Sequence, residues 1–65
     1  MRKVDPLIVL QARIDARARL WKDGEYADEG ELMQPLYRFA QRHNLPLVID
    51  DIDGMMLAAL EGPAQ

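Results

Sequence analysis

The stretch that decides the fold is residues 5–24, which read DPLIVLQARIDARARLWKDG. Asp is a favoured N-cap residue, and Pro suits the first helical position because its missing N–H would have no partner there. At about 100° per residue, the apolar side chains fall on one stripe roughly 80° wide. A cation in the last turn and a glycine terminator follow at Lys22 and Gly24. The segment therefore predicts an amphipathic helix over residues 6–22, with a stripe made of Leu7, Leu10, Ile14, Ala18 and Trp21.

A second amphipathic pattern predicts a helix over residues 29–43. Asp28, with Glu31 three residues later, resembles a capping box at its start. Pro35 conflicts with the pattern, because proline lacks the backbone donor and crowds the carbonyl of Glu31. Two alternatives therefore stay open: Pro35 kinks the helix, or the helix begins near Gln34. The apolar stripe consists of Leu32, Leu36, Phe39, Ala40 and His43, widened by Met33 and Tyr37.

The last third of the chain predicts a short extended segment followed by a third helix. Residues 46–49 include three β-favouring side chains, but a lone strand this short has no partner in a helical chain. We expect a buried, extended crossing over 46–49, with pairing across a dimer as the alternative. Asp50 or Asp51 is the expected N-cap of a helix over 51–61, which Gly62 ends. Its stripe consists of Ile52, Met55, Met56, Ala59 and Leu60.

Three striped helices must bury their stripes against one another, which predicts an all-α, compact three-helix arrangement in one domain over 1–65. Residues 1–4 and 62–65 are expected to be flexible termini. The fully apolar run at 7–10 is too short for a secretory signal or a membrane span. A cytoplasmic protein that does not enter a membrane is the expectation.

The composition argues against an enzyme and against a metal or cofactor site. Serine, threonine and cysteine are absent and there is one histidine, which removes the usual nucleophiles and thiolate ligands. The acidic run at 50–54 has the spacing of part of a calcium loop. When the EF-hand calcium loop is aligned with this run, Ile49 and Leu60 fall at positions that need oxygen ligands. No catalytic, cofactor-binding or metal-binding residue is predicted.

The expected function is a small helical interaction or regulatory module that acts through protein–protein contacts. Its partner is an unidentified protein or a second copy of the chain. Tyr and Met are enriched at protein interfaces. Self-association would cover apolar area that three short helices leave exposed. The candidate interaction surface is formed by Tyr26, Met33 and Tyr37.

The alternative function is a small nucleic-acid-binding regulator that uses the first helix. Residues 1–22 carry six basic and two acidic groups, whereas residues 23–65 carry two basic and nine acidic groups. This asymmetry serves either an acidic partner or pairing between the two halves of the fold. The chain is acidic overall, with a pI near 4.9, which disfavours nucleic acid as a partner. The candidate nucleic-acid contacts are Arg13, Arg17, Arg19 and Lys22.

Overall fold

A computed structural model describes residues 4–62 as three helices joined by two short connections. Helix α1 spans Pro6–Lys22, α2 spans Glu29–Arg42 and α3 spans Ile49–Glu61. The predicted all-α, three-helix fold is confirmed. Most of the two predicted flexible termini lies outside the described residues. None of the helices within residues 4–62 combines the length and the apolar character that crossing a membrane requires.

Local signals place the ends of α1 and α2 where the sequence predicts them. The Asp5 carboxylate accepts a hydrogen bond from the Leu7 N–H at 2.9 Å, so it caps α1. Gly24 follows α1 with a φ of 79°, a left-handed conformation that glycine adopts at little cost. The Asp28 carboxylate accepts from the Glu31 N–H at 2.8 Å and caps α2. Asn44, with a φ of 52°, ends α2 in the same left-handed region.

Pro35 lies inside α2, so the alternative start near Gln34 is wrong. The helix begins at Glu29, six residues before the proline, and continues to Arg42. Because Pro35 has no N–H, the carbonyl of Glu31 cannot receive the usual bond from four residues later. A donor from another helix takes its place, as described below.

The start of α3 differs from the prediction by two residues. Its N-cap is Val48, and Asp51 acts from the third helical position, where its carboxylate accepts the Val48 N–H at 3.1 Å. Only part of the predicted extended segment at 46–49 is extended, because Ile49 already belongs to α3. The expectation of burial is also wrong: Val48 is 64% exposed and Ile49 is 57% exposed.

Contacts between helices define an up-down-up bundle. Along α1, Arg13 lies over Phe39 and Arg17 reaches Leu32, so α2 runs antiparallel to α1. Helix α3 returns alongside α2 and lies next to α1 in the same direction. The nine side chains of the central core come from all three stripes: Leu10, Ile14, Ala18, Leu32, Met33, Leu36, Ala40, Ile52 and Met56.

Candidate functional site

Arg17 connects α1 to the backbone of α2 at the turn that contains Pro35. Its Nε donates to the Leu32 carbonyl at 2.9 Å, and its Nη2 donates to the Glu31 carbonyl at 3.2 Å. The Glu31 carbonyl is the one that Pro35 leaves without a helical donor. The guanidinium therefore supplies the hydrogen bond that the proline cannot make. Its Cζ also lies 5.1 Å from the centre of the Tyr26 ring, within cation–π range.

Arg13 stacks on the other half of α2. Its Cζ lies 4.9 Å from the centre of the Phe39 ring, and that ring is 4.3 Å from the His43 ring. Together, Arg13 and Arg17 attach α1 to α2 through aromatic rings and backbone carbonyls. Two of the four predicted nucleic-acid contacts, Arg13 and Arg17, thus contact α2 within the same chain. Counting charges along the sequence does not reveal these contacts.

The other two predicted nucleic-acid contacts, Arg19 and Lys22, lie on a different surface. They border an open groove between α1 and α3, which we call the α1–α3 face. Its α1 side is lined by Gln11, Ile14, Asp15, Ala18, Arg19 and Lys22. Its α3 side is lined by Met55, Ala58, Ala59 and Gly62. Six of the ten lining residues are apolar or glycine, and four of these six are small: Ala18, Ala58, Ala59 and Gly62. The other four, all on α1, are polar or charged: Gln11, Asp15, Arg19 and Lys22.

The predicted interaction residues Tyr26, Met33 and Tyr37 are not equally available. Met33 is only 5% exposed and belongs to the core, so it does not contribute to a surface. Tyr26 and Tyr37 are half-buried and pack against that core. Tyr26 lies under Arg17, and Tyr37 binds α3. The three residues thus do not form one exposed patch, because α2 presents its apolar side to both neighbouring helices.

Tyr37 and Asp53 form the polar contact between α2 and α3. The Tyr37 hydroxyl donates a hydrogen bond to the Asp53 carboxylate. This bond, together with partial burial and the negative charges of Asp53, Glu29 and Asp50, raises the pKa of Tyr37 to about 12. The hydrogen bond to the carboxylate favours the protonated form of Tyr37, so the tyrosine does not act as a base. We interpret the Tyr37–Asp53 contact as a structural one.

Seven large apolar side chains are exposed within residues 4–62, and the sequence patterns did not identify them as a surface. Five of them form two groups: Val4, Leu7 and Ile8 at the start of α1, and Val48 and Ile49 at the start of α3. The other two, Leu20 and Leu57, lie in the second halves of α1 and α3. Because α1 and α3 run in the same direction, both groups lie at the same end of the bundle. Ile8 is apolar but lies outside the predicted stripe of α1, and this pattern in the sequence already indicates that its side chain is exposed.

The described residues offer no metal centre. Within residues 4–62, no cluster of three or more His, Cys, Asp or Glu side chains has a geometry that could hold an ion. Of the acidic run at 50–54, Asp51 caps α3 and Asp53 binds Tyr37. Comparison of the chain with family models, curated proteins and solved structures found no match. A function is therefore inferred from the surfaces of the three-helix bundle.

Proposed function

We propose that this chain is a non-enzymatic helical interaction module that binds another protein through exposed apolar side chains, in the cytoplasm. The observation that carries the proposal is the exposed apolar group at one end of the bundle. Contiguous exposed apolar area beyond a few hundred Å² is uncommon on monomers and marks interaction sites. Ile8, Val48 and Ile49 each expose more than half of their surface there.

Local packing supports this assignment. The same end of the bundle has Leu45 and Leu47 packed against the core just before the exposed Val48 and Ile49. Leu45, Leu47 and Val48 lie in the connection between α2 and α3, and Ile49 is the first residue of α3. A connection at the surface more often carries polar side chains, so four apolar residues at this place favour contact with a partner. A partner that covers this end would remove apolar surface from water at about 25 cal/mol per Å².

The proposal is tested with tagged wild-type chain and two variants, using chemical cross-linking and mass spectrometry in native lysate. The double variant Ile8→Asp/Ile49→Asp places charges on the apolar end. The matched control Leu57→Asp charges a residue of α3 that is equally exposed, at 57%, but lies among the residues that border α2. We expect one cross-linked species, another protein or a second copy, that wild type and Leu57→Asp share and the double variant loses. Wild type without any cross-linked species, or a double variant that retains it, would contradict the proposal.

The nucleic-acid hypothesis for α1 stays a prediction. Arg17 is partly buried and hydrogen-bonded to α2, whereas Arg13, Arg19 and Lys22 are exposed, although Arg13 also stacks on Phe39. Three phosphate contacts give a shallow salt dependence and a weak interaction. Protein contacts are therefore the function that the geometry favours.

A further inference from the structure

We propose that a pocket enclosed by all three helices binds a small organic cation with an apolar body, such as a protonated arylalkylamine. We call it the Trp21 pocket. It lies between the end of α1, the first part of α2 and the part of α3 from Asp53 onward. The inference does not rest on the proposed function, because the pocket lies away from the apolar end of the bundle.

The walls of the Trp21 pocket are apolar. Six side chains from the three helices form them: Trp21, Leu32, Met33, Met56, Leu57 and Leu60. Leu32, Met33 and Met56 belong to the core, so they form the inner wall, whereas Leu57 is exposed and stands at the opening. Tryptophan and methionine side chains make favourable contacts with aromatic rings. The pocket therefore suits the apolar or aromatic body of a ligand.

The volume of the Trp21 pocket indicates the size of that ligand. Pockets for drug-sized molecules have volumes of about 300–1,000 Å³, with mostly apolar walls and a few polar groups that fix the orientation of the ligand. The Trp21 pocket has this composition and a volume of about 250 Å³. A single ring with a short side chain is thus a more suitable ligand than a larger molecule.

The charged groups that line the Trp21 pocket are carboxylates. Glu29 and Asp53 border it, and none of its lining residues within 4–62 is a Lys, Arg or His. By contrast, the α1–α3 face combines Asp15 with two cations. Tryptophan is also the aromatic side chain that attracts cations most strongly. The pocket is therefore complementary to a cation and repels an anion.

Tyr37, which also lines the pocket, experiences this negative potential. Its pKa is raised to about 12, first by the hydrogen bond to Asp53 and then by partial burial and the charges of Asp53, Glu29 and Asp50. The bond to Tyr37 does not exhaust Asp53, because a carboxylate has two oxygens that together accept about four hydrogen bonds. An ammonium group in the pocket can therefore bind Asp53 while the Tyr37 contact is kept.

Fluorescence titration at neutral pH tests the pocket directly, because the single tryptophan of the chain lines it. Three probes share a phenylethyl body and differ in charge: phenethylammonium is cationic, phenethyl alcohol is neutral and hydrocinnamate is anionic. We expect saturable binding of phenethylammonium, at least tenfold tighter than that of the alcohol, because charge-assisted hydrogen bonds are about twice as strong as neutral ones. Hydrocinnamate should give no saturable change. In NMR spectra, phenethylammonium should shift the Trp21 indole signal and the amides of residues 53–60 most.

Two variants test the carboxylates. Glu29→Gln and Asp53→Asn each remove one negative charge at nearly constant size, and the asparagine keeps an oxygen that can accept the Tyr37 hydroxyl. Each should weaken phenethylammonium binding at least threefold and leave binding of the alcohol within twofold. The matched control Asp15→Asn removes one charge from the α1–α3 face and should leave both dissociation constants within twofold. Circular dichroism verifies folding, and Glu29→Gln, at an exposed position, carries the test if Asp53→Asn unfolds.

Phenethylammonium that gives no saturable change, or that binds no more tightly than the alcohol, would overturn the inference, since the second result describes an apolar crevice only. So would an Asp15→Asn variant that weakens binding as much as Glu29→Gln, because the net charge of the chain would then attract the cation. Amide shifts centred on the α1–α3 face would place the cation elsewhere and would also overturn it. None of these results changes the cross-linking expected at the apolar end, so the proposed function is tested separately.

Discussion

Replacement of Arg17 by Ala tests whether the guanidinium compensates for the proline inside α2. The variant loses two charge-assisted hydrogen bonds, at 2.9 and 3.2 Å, and a stacking contact with Tyr26. A hydrogen bond to a charged group contributes about 1.5–3 kcal/mol when buried, and these two are only partly shielded from water. Together with about 0.5–1 kcal/mol for the cation–π contact, we expect a loss of about 2–3 kcal/mol.

Such a loss is a large fraction of the stability of this chain. Domains have a free energy of unfolding of about 0.05–0.15 kcal/mol per residue, which gives about 3–10 kcal/mol for 65 residues. Urea unfolding followed by the fluorescence of Trp21, the single tryptophan, measures the difference. The matched control is Arg13→Ala, which removes a cation–π contact with Phe39, and it should cost about 0.5–1 kcal/mol.

A double-mutant cycle with Pro35→Ala isolates the mechanism. Alanine at position 35 restores an N–H that bonds the Glu31 carbonyl, so Arg17→Ala should cost about 1 kcal/mol less in that background. Equal costs of Arg17→Ala with and without Pro35 would refute the compensation. So would an Arg17→Ala variant that is no less stable than Arg13→Ala.

Three further predictions follow from individual contacts. The neutral Tyr37 phenol is favoured in the folded state, where its pKa is about 12, so its contribution to stability is complete below pH 10 and is lost as the pH rises from 10 to 12. Absorbance titration should show a step near pH 12 that Tyr37→Phe removes. A wild type without that step would contradict the contact with Asp53. Asp28→Ala should lower the free energy of unfolding by about 1 kcal/mol, because the Glu31 N–H loses its acceptor. Asp28→Asn keeps an acceptor oxygen and should retain most of the stability of the wild type. Equal losses for the two variants in urea unfolding would argue against the cap. If the nucleic-acid hypothesis is correct, DNA or RNA at low salt shifts the amide signals around Arg19 and Lys22 in NMR spectra, and Arg19→Glu/Lys22→Glu abolishes the shifts. The protein-interaction proposal expects no shifts with the wild type or with this variant.

The sequence by itself determined the three helices and most of their ends. Caps and terminators act within a few residues, so Asp5, Gly24, Asp28 and Asn44 specify boundaries without help from the rest of the fold. Stripe periodicity likewise identified core residues on each helix, because a helix buries one face whichever neighbour it meets. The prediction is wrong for Leu7 and His43, which lie at the ends of their stripes, beyond the reach of the neighbouring helices, and are exposed. The cap of α3 was the exception, since Asp51 can serve as an N-cap or act from the third position, and local sequence does not separate the two.

Only the tertiary structure decided how the polar and aromatic side chains are used. Three contacts depend on which helix lies opposite: the burial of Met33, the hydrogen bonds of Arg17 to the backbone of α2, and the hydrogen bond between Tyr37 and Asp53. The Glu31 carbonyl, which Pro35 leaves without a helical donor, accepts a hydrogen bond from a residue fourteen positions earlier in the chain, which no local pattern contains. The same reason applies to the α1–α3 face, because its residues line one groove only when two helices that are distant in sequence lie side by side.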